Sequence, residues 1–138
     1  KNRYYLGMLN EYRSWKMAHV PHRVIENISK KIKTPFFILI VTGSYAKQKQ
    51  NKNSDLDITV ICDDNADTKV VYAGIKLESD LSIPKVHPFV FTRKEFLEML
   101  TNDEFNYGKE IARYNLIFYG AEQYYTILNG GMKHGFRG

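Results

Sequence analysis

Thiol chemistry is almost absent from this chain, because Cys62 is its only cysteine. One cysteine excludes an internal disulfide and any multi-cysteine metal site, and its place in a β-like apolar run fits a small core residue. Without disulfides the chain suits a reducing compartment, and a cytoplasmic setting is expected. Long apolar runs are also missing. The longest, Phe36 to Val41, is far shorter than the ~20 residues that a membrane-spanning helix needs, so no membrane role is expected. No signal peptide, internal repeat or low-complexity stretch is visible. Acidic residues are scarce at the front. The first fifty residues carry ten Lys or Arg against two Asp or Glu, while the remainder carries ten against thirteen. A basic front half suits a polyphosphate or nucleic-acid partner, or simply a solvated face.

The 138 residues present suffice for one compact core and not for two. Residues 1–18 read as an N-terminal extension. The chain begins with Lys1 rather than Met, so the expectation is that 1–18 is the end of an upstream domain. Residues 19–128 form the main domain, and 129–138 a flexible tail.

From Pro21 to Lys33 the apolar positions Val24, Ile25, Ile28 and Ile32 recur at helical spacing, with lysines at the C-terminal end. Phe36 to Val41 reads as a strand buried on both faces, and Tyr45-Ala46-Lys47 as the opening of a short helix. Asp55 to Cys62 alternates, with Leu56, Ile58 and Val60 on one face and Asp55, Asp57 and Thr59 on the other. Thr68 to Leu81 is expected to be helical. Val86 to Phe91 reads as a strand in which Pro88 argues for an edge. Thr92-Arg-Lys-Glu95 is a capping box, with Phe91 and Phe96 placed as a hydrophobic staple. Phe105 to Tyr114 is expected as a helix, Leu116 to Tyr119 as a short strand, and Ala121 to Leu128 as a last helix.

The chemistry concentrates between Gly43 and Asp57. A Gly directly after a buried strand lets the backbone approach a ligand, and amides opening the next helix suit phosphate, with Ser44 adding a hydroxyl. Asp55 and Asp57, two apart on one strand face, can converge on a hard cation that shares its oxygen ligands with phosphates. Together they would make a metal–triphosphate site.

Gly43-Ser44-Tyr45-Ala46-Lys47, a short polar loop, and Ser54-Asp55-Leu56-Asp57 resemble the polymerase-β-like nucleotidyltransferase superfamily, in its minimal nucleotidyltransferase branch. Gly43, Ser44, Ala46, Ser54, Asp55 and Asp57 match the family pattern in identity and spacing. Lys47 stands where the family has Arg, and Gln48 replaces its second Gly. The resemblance runs over roughly residues 20–128, closing on the segment around Ile117 to Tyr125. It implies an α/β (α+β) fold, a mixed β-sheet flanked by helices. It also implies Mg²⁺ or Mn²⁺ on Asp55 and Asp57, with ATP or another nucleoside triphosphate held by Gly43, Ser44, Lys47 and Ser54. An acceptor hydroxyl would then attack the α-phosphorus and release pyrophosphate.

The family usually sets a third carboxylate on the next strand. Here that position falls on His87, which could ligate the metal, serve as base near neutral pH, or be an inert replacement. Three functions follow as expectations. The chain could be a nucleotidyltransferase, with Asp55, Asp57 and His87 as its catalytic set. It could be a weakly catalytic antitoxin, paired with a toxin protein or with its own copies. It could be a regulator whose upstream part binds nucleic acid, since Lys1 to Leu9 faintly resembles the wing and exit strand of a winged-helix domain. Tyr107, Tyr114, Tyr119, Tyr124 and Tyr125 are expected to pack in the core or an interface. One of them, or Tyr45, could alternatively stack on a purine.

Overall fold

The computed structural model describes residues 2–136. The chain runs α1 (Asn2–Lys16), α2 (His22–Lys30), β1 (Phe37–Thr42), α3 (Gly43–Ala46), β2 (Leu56–Cys62), α4 (Thr68–Leu81), β3 (Val86–Thr92), α5 (Arg93–Thr101), α6 (Tyr107–Arg113), β4 (Leu116–Tyr119) and α7 (Ala121–Lys133). Four strands make one sheet in the order β3-β2-β1-β4, with β1 antiparallel to β2 and β4, and β2 parallel to β3. This is the expected mixed sheet. Pro88 lies on the edge strand β3, where its missing N–H costs no ladder bond.

Period-two alternation in β1 and β2 sends side chains into two cores. Leu39, Val41, Leu56, Ile58 and Val60 face α2 and α4, meeting Ile25, Ile28, Val71 and Ile75. Ile38, Ile40 and Ile61 face the other way, onto Phe96, Ile111, Tyr124 and Ile127 of α5, α6 and α7. Both sheet faces are therefore covered, which is why the strands read as nearly continuous apolar runs. The Thr92–Glu95 capping box forms as expected and fixes where β3 turns into α5.

Three expectations change. Residues 2–16 are a helix, not a wing or exit strand. Trp15 Nε1 donates to the Phe118 carbonyl at 3.2 Å, and the Glu11 carboxylate accepts from the Ala121 amide at 2.9 Å, so α1 is bonded to β4 and to the start of α7. The extension is thus part of the fold. Secondly, the segment expected as a tail is mostly ordered: α7 continues to Lys133, and Phe136 returns to the second core at 7% exposure. Its last two residues, with Lys1, lie outside the described residues. Thirdly, Tyr45 is buried in the first core at 7% exposure and presents no face to a purine.

Candidate active site

The end of β1 and the beginning of β2 are paired, with Thr42 opposite Asp57. One residue later the backbone turns through Gly43 at φ +65° into α3. The turn brings the Gly43 Cα against the carboxylate of Asp57, so that a Cβ there would overlap Asp57 Oδ2. Glycine is required at this position twice over, by the left-handed backbone and by the neighbouring acid. The first-turn amides of α3 receive no side-chain cap, because the Thr42 hydroxyl is turned instead toward Tyr107. They are left to a ligand or to water.

Asp55 stands just ahead of β2 rather than on it, and is exposed, whereas Asp57 is half-buried. Burial is the main cause that raises the Asp57 pKa above its ordinary value of 3.8. The His87 ring opposes that shift, and the Asp55 and Glu110 carboxylates add to it. The structure thus places several negative groups where they repel one another, and a divalent cation would relieve that repulsion. Among the described residues no three His, Cys, Asp or Glu side chains converge to hold a metal unaided. Two carboxylates suffice for Mg²⁺ only where phosphate and water oxygens complete its shell, which matches this donor set.

His87 is where the strand register predicts. It pairs with Asp57 across β2 and β3, and its Nδ1 lies 3.6 Å from Asp57 Oδ1. Its side chain is 60% exposed against 30% for Asp57. The ring packs on Phe89 at 4.5 Å between centroids, and Phe89 packs on Tyr107 at 4.5 Å. An aromatic wall therefore borders the carboxylates.

The remaining residues expected to hold nucleotide sit less simply. Lys47 is paired with Glu110 at 3.0 Å and lies over the Tyr114 ring, so its ammonium is engaged with α6. The Ser54 hydroxyl accepts from the Asn51 amide at 2.9 Å and closes the loop into β2. Ser44 is half-buried at the turn, and its carbonyl accepts from the Lys49 amide. Gln48, which replaces the family's second glycine, has φ +57°. It follows the C-cap of α3 in the left-handed region that Gly or Asn normally fills. Gln48→Gly should therefore raise stability by about 0.5–1 kcal/mol in urea unfolding, through relief of that strain.

Sequence reasoning missed Tyr107 and Glu110 as site residues. The Tyr107 hydroxyl lies 2.8 Å from Thr42 Oγ1 and 3.1 Å from Thr59 Oγ1, both buried. It clamps α6 to the sheet beside Asp57. Their spacing (Tyr107, Glu110 and Tyr114, one helix face) was the available signal. Tyr107→Phe should cost about 1–2 kcal/mol in thermal or urea unfolding, because it leaves two buried hydroxyls short of a partner.

The Gly43 turn, uncapped first-turn amides and a pair of acids at the head of the next strand thus lie at one end of a mixed sheet. The chain matches the family "Polymerase beta, Nucleotidyltransferase" over residues 24–113, and it belongs to that family. A solved crystal structure of a toxin-antitoxin with AMP-PNP shares the fold, with a TM-score of 0.58 and 14% identity over 83% of this chain and 86% of that one. At that identity the likeness is one of fold. No curated protein matches the chain.

Proposed function

We propose that this domain transfers a nucleoside monophosphate from a nucleoside triphosphate, ATP or another, to a hydroxyl acceptor. The observation that carries the reading is the apposition of the Gly43 backbone and the Asp57 carboxylate at the mouth of β1 and β2. A phosphate chain seated on the α3 turn would lie beside both aspartates. A hard cation on Asp55 and Asp57, Mg²⁺ or Mn²⁺, would neutralise the charge that builds as the α-phosphorus is attacked. The chain's own part is positioning. Gly43 and Ser44 shape the phosphate seat, Ser54 holds the loop that delivers Asp55, and Tyr107 keeps α6 over the site. Lys47 becomes available to a phosphate if it leaves Glu110.

His87 supports a second reading. Beside Asp57 it occupies the place of the family's third carboxylate. An imidazole there can accept the acceptor hydroxyl's proton near neutral pH, or it can leave the domain able to bind nucleotide but slow to transfer it. In the slow case the domain would act through a protein partner, as antitoxin to a toxin, the type of assembly in which the shared fold has been crystallised.

Calorimetry with ATP and Mg²⁺, and transfer of label from α-labelled ATP, separate these cases in wild type, His87→Ala and His87→Asp. Transfer by wild type that His87→Ala loses would make His87 the base. A gain of transfer only in His87→Asp would mark the natural domain as catalytically slow. Absence of ATP binding in all three sinks both readings.

A further inference from the structure

Helix α4 carries an apolar line that the fold does not use. Val70, Gly74, Leu77 and Leu81 are all exposed, with Leu77 and Leu81 each at 70%. At 100° per residue they fall within an arc of roughly 60° and run for about 16 Å along the helix. Beside this line, where α2 passes α4, lies a groove of about 370 Å³ floored by Val70, Val71 and Gly74 and walled by Lys31 and Lys33. It continues past the same two lysines into a second depression of about 400 Å³, where Lys30 and Glu78 join the lining.

The charges around it are unbalanced. Lys30, Lys31 and Lys33 have no carboxylate within ion-pair distance among the described residues. Of the two acids in the linings, Asp67 caps α4 through the Lys69 and Val70 amides, and together with Glu78 it sets two carboxylates against three lysines. Gly74, at the centre of the line, keeps the end of α2 close to α4, since a Cβ there would lie 3.3 Å from the Lys31 carbonyl.

We infer that the α2–α4 face is a docking surface for an amphipathic helix of another protein, one whose apolar stripe is flanked by Asp or Glu. A helix laid along α4 would cover Leu77 and Leu81 and set its acidic flank against Lys31 and Lys33. A second copy of this chain is a poor occupant, because twofold pairing of this face brings the two lysine walls together. A lipid surface also fits badly, since the apolar arc is narrow and borders a concave groove rather than forming a broad flat face. The surface is on the opposite side of the sheet from Asp57. Docking there is therefore independent of the nucleotide reading, and either can fail without the other.

The test uses a panel of fluorescein-labelled helical peptides with leucines at i, i+3, i+4 and i+7 and glutamates along one flank, each with a twin bearing lysines instead. Fluorescence anisotropy should show acidic members binding, with affinity falling as salt rises. Binding should weaken at least tenfold in both Lys31→Glu/Lys33→Glu and Leu77→Ser/Leu81→Ser. The lysine-flanked twins should prefer the Lys31→Glu/Lys33→Glu protein, a charge swap that misfolding cannot imitate. ATP binding should be unchanged in every variant. The inference is overturned if no acidic peptide binds, or if the charge swap fails. It is overturned equally if the face binds phosphatidylserine vesicles instead, or if it forms a dimer that Leu77→Ser/Leu81→Ser dissolves.

Discussion

Gly43→Ala should destabilise the protein by about 2–4 kcal/mol in denaturant unfolding, far outside the ±0.5 kcal/mol expected of an ordinary exposed position. Two causes add. An alanine held at φ +65° costs about 1–2 kcal/mol through its left-handed backbone. The remainder comes from the new methyl, which must overlap Asp57 Oδ2. The two are separable in a double-mutant cycle. Against an Asp57→Ala background most of the steric part should go, leaving a 3.3 Å contact with the residue 57 Cβ, and Gly43→Ala should then cost little beyond the backbone strain. A cost for Gly43→Ala that is the same with and without the Asp57 carboxylate would mean that turn and acid do not touch. The proposed site would then lose its basis.

Asp57→Asn should have opposite effects on chemistry and on stability. On the proposed reading, transfer from labelled ATP should fall by on the order of 10³-fold or more, because one of the two carboxylates that would hold the phosphate-neutralising cation is gone. Stability at neutral pH should rise. Burial, helped by Asp55 and Glu110, lifts the folded-state pKa of Asp57 above the 3.8 of an ordinary aspartate. Such a group is most favourable to folding when protonated, below its unfolded-state pKa. That advantage is lost as pH rises through the folded pKa, after which its charge works against the fold. The neutral asparagine escapes this cost. Melting curves should show Asp57→Asn above wild type at pH 7, the gap closing as pH falls toward 3.8. A variant less stable than wild type at pH 7 would contradict the buried, mutually repelling carboxylates described here.

Where local signals decide structure, the sequence was a good guide. The capping box at Thr92 marked the start of α5, and the apolar run Phe36 to Val41 foreshadowed β1, displaced by one residue from Phe37–Thr42. Val86 to Phe91 was expected at an edge because of Pro88, and that is where β3 lies. Asp57 of the Ser-Asp-x-Asp stretch falls beside the Gly-Ser turn because strand pairing fixes Thr42 opposite it. What stayed hidden depends on partners distant in sequence. Nothing near Glu11 or Trp15 announces that they bond to residues 121 and 118, so α1 passed for an extension. Phe136 looked idle until the second core gave it a seat. Tyr107 and Glu110 gain their roles only when α6 folds over Thr42, Thr59 and Lys47.

The place of His87 has a wider consequence. The side chain sits on the sheet's outermost strand and largely in water, where the folded state has little stake in its identity. On the proposed reading, exchanging it for a carboxylate, or back again, would change what the neighbouring aspartates can do, at the cost of added repulsion with Asp57 in the apo protein. A lineage carrying this architecture could gain or surrender chemistry through one codon, with no detour through misfolded intermediates.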